Sequence, residues 1–155
     1  MNKGFTLVEL IISLGVLVLS VVVLVGLSVS YLSILNTIRT RYLALNIAQE
    51  GIELAIALRN KQIETGAQPW AGVSTAGTYC LSFNTNTKRI IVESSSQPCP
   101  TGVSDYRRLI YYSDFENPHN SNLENATATR VISEVYFGKD KIQLDVVLTK
   151  WHPHQ

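Results

Sequence analysis

GFTLVELIISLGVLVLSVVVLVGLSVSYLSILNTI (residues 4–38) decides how the rest of the 155-residue chain is read. No side chain from Leu10 to Ile38 carries a formal charge. As a helix this run of about 29 residues would be roughly 44 Å long, more than a hydrocarbon core of about 30 Å requires. Three identities fit such a segment: a cleaved secretory signal, a signal anchor, and a span whose processing lies ahead of the apolar run. Gly26 and Ser28 imitate a signal-peptidase site. A secretory leader keeps its short n-region basic, however, and Glu9 breaks that pattern, with only Lys3 as a cation before it.

A carboxylate at the edge of lipid costs several kcal/mol unless it is paired. The cation nearest to Glu9 would be an α-amino group at Phe5, created if the chain were cut after Gly4. That ammonium can meet Glu9 of its own chain, four residues on, or Glu9 of a neighbouring copy. Paired between copies, the acid becomes an assembly device.

KGFTLVELIISLGVLVLS (residues 3–20) resembles the processing and methylation motif of type IV prepilins and type II secretion pseudopilins. In that motif Lys3 belongs to a short leader, Gly4 precedes the cut, Phe5 becomes the N-methylated first residue, and Glu9 is the assembly glutamate. The resemblance covers the leader and the first half of the N-terminal helix. It implies cleavage and methylation by a prepilin peptidase/methyltransferase, residence in the bacterial inner membrane with the head outside the cytoplasm, and extraction through an inner-membrane assembly platform into an extracellular or periplasmic filament. The implied partners are other pilin or pseudopilin subunits, and membrane lipid before assembly. Arg39 and Arg41 after the apolar run blur the positive-inside bias of Lys3, so this orientation rests on the motif. Gly26 stands where many major pilins carry a helix-breaking proline. AQEGIELAIALRN (residues 48–60) is similar to minor pilins and minor pseudopilins.

The helix is expected to continue beyond the membrane. Leu43, Ile47, Leu54 and Leu58 recur at helical spacing and predict one covered face, widened by Leu45, Ile52, Ile56 and Ile63. Tyr42, Asn46, Gln49, Glu50, Glu53, Asn60 and Lys61 fall opposite. Gly15, Gly26 and Gly51 read as close-packing points. From Thr65 onward Gly, Pro, Ser and Thr replace helix formers and lead into a head.

The head reads as strands. TYCLSF (78–83) and KRIIVES (88–94) flank NTNT as one hairpin, RRLIYYS (107–113) is a third strand, and TRVISEVYF (129–137) with KIQLDVVLTKW (141–151) forms a second hairpin around GKDK. Val131, Val135 and Phe137 alternate with Ser133 interrupting, while Ile142, Leu144, Val146 and Leu148 alternate cleanly. Such half-buried strands, laid on the apolar stripe of the helix, give an α+β fold: a long N-terminal helix packed on a small antiparallel sheet. The expected organisation is a leader at 1–4, a transmembrane or filament-core helix at 5–38, an amphipathic second half at 39–64 and a β-rich head at 65–155. Cys80 and Cys99 are expected to form a disulfide in an oxidising compartment. A loop of that size adds roughly 3 kcal/mol in the chain-entropy model.

A net charge of +1 without a basic cluster predicts no nucleic-acid partner. Phosphate-loop, nucleophile-elbow and Cys/His metal spacings are missing from the sequence, and His119 lies among asparagines, so neither enzyme activity nor a cofactor or metal is expected. His152 and His154 read as a polar terminus, Asp114, Glu116, Asn120 and Glu124 as a surface turn rather than a calcium loop, and Asn125-Ala126-Thr127 as a chance glycosylation-like triplet. Trp70, Tyr79, Tyr111, Tyr112, Tyr136 and Trp151 read as core or sheet surface. The expected function is a structural filament subunit, a minor pilin of a type IV pilus or pseudopilus. The alternative is a binding module, an adhesin or a DNA or substrate receptor, displayed by the same helix and using SDFENPHNSNLEN (residues 113–125).

Overall fold

The computed structural model describes residues 6–67, 70, 72–124 and 126–150. One helix, α1 (Leu7–Glu64), is followed by six strands: β1 (Gly77–Asn84), β2 (Arg89–Ser94), β3 (Cys99–Pro100), β4 (Tyr106–Asp114), β5 (Ala128–Phe137) and β6 (Asp140–Thr149). The fold is α+β, and the chain divides into two compact units between Thr40 and Arg41. The second half of the helix therefore belongs to the same compact unit as the sheet, whereas the sequence reading began the head at residue 65.

In the first unit every described residue is exposed. Most of its side chains are Leu, Val or Ile, and four of its serine hydroxyls turn back onto the helix. Ser13 donates to the Leu10 carbonyl at 2.9 Å, Ser20 to Val16 at 2.5 Å, Ser28 to Leu24 at 2.8 Å and Ser30 to Gly26 at 3.1 Å. Hydroxyls bonded in this way need no outside partner, as a lipid-facing or helix-facing surface requires. This helix is long and apolar enough to cross a membrane.

In the second unit all strand pairs are antiparallel and run β2-β1-β4-β5-β6, with β3 pairing on β4. The β5–β6 hairpin closes through Gly138 and Lys139, and the φ of 56° at Gly138 is the left-handed geometry that a two-residue hairpin turn requires. In the β1–β2 turn the Asn84 carboxamide accepts the Asn86 and Thr87 amides at 3.0 and 3.1 Å, which makes the polar NTNT segment a turn. The helix stops in a Schellman arrangement, with Ala67 N donating to Gln62 O, Gly66 N to Ile63 O, and φ 70° at Gly66.

The sheet turns Tyr106, Ile110, Tyr112, Val131, Val135 and Leu148 inward, and all of them are buried. Against them α1 presents Ala44, Ile47, Ala48, Gly51 and Ala55. The predicted helix face shifts accordingly. Ile47 is buried as expected, but Leu43 is 38% exposed, Leu45 is 39% exposed, and Leu54, Leu58, Ile52 and Ile56 are only partly buried at the flanks. The reason is volume: sheet aromatics fill the gap between the layers, so small helix residues allow the closest approach and large ones are displaced sideways. Ser133 does not interrupt the inward face of β5 but belongs to it, fully buried beside Gly51.

Candidate functional site

The N-terminal feature singled out in the sequence, Glu9, lies in the first turn of α1. Thr6 precedes the helix as its N-cap: the Glu9 amide donates to Thr6 Oγ1 at 3.4 Å and to Thr6 O at 3.1 Å, and the Leu10 amide donates to Thr6 O at 3.2 Å. Thr6-Leu7-Val8-Glu9 thus has capping-box spacing, with the acid at the third helical position, where unpaired amides and the helix dipole favour negative charge. That local role was legible as T-x-x-E and was missed. It stabilises the carboxylate by about 0.3–1 kcal/mol, less than the several kcal/mol that removing a charge from water costs. The cap would therefore offset only a small part of the cost of placing this acid in an apolar medium. Lys3, Gly4 and Phe5 lie outside the described residues.

A second concentration of chemistry lies where the helix meets the sheet. Arg108 is only 6% exposed, on the inward face of β4 between Tyr106 and Ile110. Its Nη1 donates to the Ile47 carbonyl of α1 at 3.0 Å, and its Nη2 to the Leu81 carbonyl of β1 at 2.9 Å. Nη1 also lies 3.3 Å from the carboxylate of Glu50, a residue that is largely solvent-facing. One guanidinium thereby ties together a helix and two strands, a use of its planar fork that lysine cannot reproduce. Gly51 makes room for it: a Cβ there would lie 2.8 Å from Arg108 Cδ and 2.5 Å from Ser133 Oγ. Sequence reading took the two arginines of RRLIYYS only as a strand start. The available signal was parity, since Arg108 shares the phase of the apolar Ile110 and Tyr112 whereas Arg107 faces out.

Cys80 and Cys99 form the expected disulfide, their Cα atoms 6.0 Å apart. The bridge joins β1 to β3, a two-residue strand that follows Pro98 and ends in Pro100 and that no propensity reveals.

The loop after β4 engages its polar groups internally. Asp114 accepts the Glu116 amide at 3.0 Å, the Asn117 amide at 3.3 Å and the Asn120 side-chain amide at 2.9 Å. The Asn120 bond above all, helped by the two backbone amides and opposed by burial, holds the Asp114 carboxyl below its ordinary range. Asn120 and Asn122 in turn accept the Asn122 and Glu124 amides, and Leu123, fully buried, donates its amide to Ser74 O. Asp114 and Asn120 therefore fold the loop, whereas Glu116 and His119 are exposed. Among the described residues no three His, Cys, Asp or Glu side chains converge as a metal site. Asn125, Trp151, His152 and His154 lie outside the described residues.

Of the aromatics, Trp70, Tyr79 and Tyr112 are core, with Tyr79 and Tyr112 in edge-to-face contact at 5.7 Å. Burial, and secondarily Tyr79, pushes the Tyr112 phenol far above its ordinary range. On the outer face Tyr136 donates to Glu134 at 2.5 Å and Lys141 pairs with the same carboxylate at 2.9 Å. Comparison of the chain with protein-family models, with curated proteins and with solved structures found no match in any of the three.

Proposed function

We propose that this chain is a structural subunit of a type IV pilus or pseudopilus-type filament, cut after Gly4, N-methylated at Phe5 and packed into the filament through its N-terminal helix. The carrying observation is the apolar helix of the first unit, exposed at every described residue and opened by a capped Glu9 directly after the prepilin-like Gly4-Phe5 boundary. That surface has two apolar environments available, lipid before assembly and the helices of other subunits after it. The proposed site is therefore an interface. The Phe5 ammonium of one subunit meets Glu9 of another, which meets the demand that the local cap leaves. In this reading the chain is held in the bacterial inner membrane with its sheet outside the cytoplasm until extraction, it is a minor rather than a major subunit, and it has no catalytic role.

Intact mass of the protein recovered from its native membrane tests the reading. A chain beginning at N-methylated Phe5 is the expected result. A start at Met1 would make the segment a plain signal anchor, and a start near Val29 would make the protein a secreted one.

A further inference from the structure

The backbone around Arg108 carries an arrangement that the filament reading does not use. On one side β1 pairs with β4 only as far as Tyr79, opposite Ile110. Beyond that, β3 occupies the same edge of β4, with Cys99 opposite Arg108 and Pro100 opposite Arg107. The sheet forks there. Thr78 O accepts the Ser95 amide at 3.0 Å, so even-numbered residues of β1 turn their backbone groups toward β2 and odd-numbered ones toward β4. Leu81, two residues past the last β1–β4 pair, thus aims its carbonyl into the fork, where Arg108 Nη2 meets it at 2.9 Å. Cys80, between Tyr79 and Leu81, is bonded to Cys99, the residue opposite Arg108. A covalent tie and a charge-assisted hydrogen bond therefore span the same gap. The other arm of the guanidinium holds the Ile47 carbonyl of the helix.

We propose that the Cys80–Cys99 bridge and Arg108 act together as a redox-gated latch, in which the bridge sets the width of the fork, the fork places the guanidinium, and the guanidinium docks the 44–55 segment of α1 on the sheet. With the bridge open, β3 has only two residue pairs holding it to β4, and Leu81 O is free to move away from Nη2. A guanidinium that loses one of two buried carbonyl partners gains by hydration, and it takes its contacts with Ile47 and Glu50 with it. Closure requires an oxidant with an exchangeable disulfide, a dithiol-disulfide protein or oxidised glutathione. One cysteine thiolate attacks it to give a mixed disulfide and expels one oxidant thiolate, the second cysteine thiolate then expels the other, and the two departing thiolates take up the two cysteine protons. The latch is a property of the second unit and holds whether or not the chain enters a filament.

The test is hydrogen exchange on the full-length chain in detergent micelles, comparing oxidised protein with protein reduced by a water-soluble phosphine, which becomes phosphine oxide as the thiols form. Reduction should speed exchange in helix peptides covering residues 44–55 about tenfold or more, while β5–β6 peptides stay within about twofold. Arg108→Met in the oxidised state should reproduce the helix effect, and reducing that variant should add little to it, the signature of two ties acting through one contact. Arg108→Lys, which keeps the charge but cannot span both carbonyls, and Cys80→Ala/Cys99→Ala give the same comparison should the methionine variant not fold. The latch is overturned if reduction changes only peptides near residues 94–101, or if its effect on the helix adds in full to that of the Arg108 variants.

Discussion

Gly51→Ala should destabilise the second unit, against the usual preference for alanine in a helix. Propensity alone predicts a gain of about 1 kcal/mol. The new Cβ, however, would fall 2.5 Å from Ser133 Oγ and 2.8 Å from Arg108 Cδ. Neither neighbour yields easily: Ser133 is fully buried on a paired strand, and Arg108 is pinned by its bonds to Ile47 and Leu81. Overpacking of this kind costs about 1–3 kcal/mol, leaving a net loss of about 1 kcal/mol. Ser133→Ala removes one of the two clashing atoms together with a buried hydroxyl that has no hydrogen-bond partner among the described residues, and should itself stabilise by about 1 kcal/mol. The double variant should therefore exceed the sum of the single changes by about 1 kcal/mol, a coupling measurable in a double-mutant cycle. Urea unfolding of the full-length chain in micelles, followed by tryptophan fluorescence, gives the midpoints. A Gly51→Ala protein more stable than wild type, or strict additivity with Ser133→Ala, would refute the claim that close helix–sheet approach selects glycine here.

Glu9→Gln keeps a residue suited to a capping box but removes the charge, so it should leave processing intact and deplete the subunit from sheared filaments; normal incorporation beside wild-type partners would reduce Glu9 to a helix cap. Gly4→Val should block the cut, leaving precursor that still starts at Met1 by intact mass. Because the Asp114 pKa is lowered on folding, the Asp114-held loop contributes stability above the unfolded aspartate value of about 3.9 and loses it as pH falls through the still lower folded value. The Asn120 side-chain amide resonance should therefore hold steady down to about pH 4 and shift below it, and Asp114→Asn should abolish that acid transition; a shift centred at or above the ordinary aspartate value would contradict the hydrogen-bonded carboxylate.

Much of this molecule was legible in sequence because the deciding patterns are local. An uncharged run at residues 10–38 has one low-cost state, a helix in an apolar medium, and the period-two residues of β5 and β6 can bury one face only as strands. Their hairpin was legible through Gly138, and the disulfide through there being two cysteines. The capping role of Glu9 is equally local, written in the spacing of Thr6-Leu7-Val8-Glu9. Tertiary packing alone decided the rest. Leu43, Leu54 and Leu58 were as good a core stripe as Ala44, Ala48, Gly51 and Ala55 until the aromatics of the sheet claimed the intervening volume, since packing density is a property of two surfaces together. No window of sequence contains the reason for β3, whose two residues pair with β4 at the place where the fold also brings Cys99 to Cys80. Arg108 is buried for the same kind of reason: its hydrogen-bond partners are 61 and 27 residues away, and a charge can stay out of water only where the fold brings such carbonyls to it.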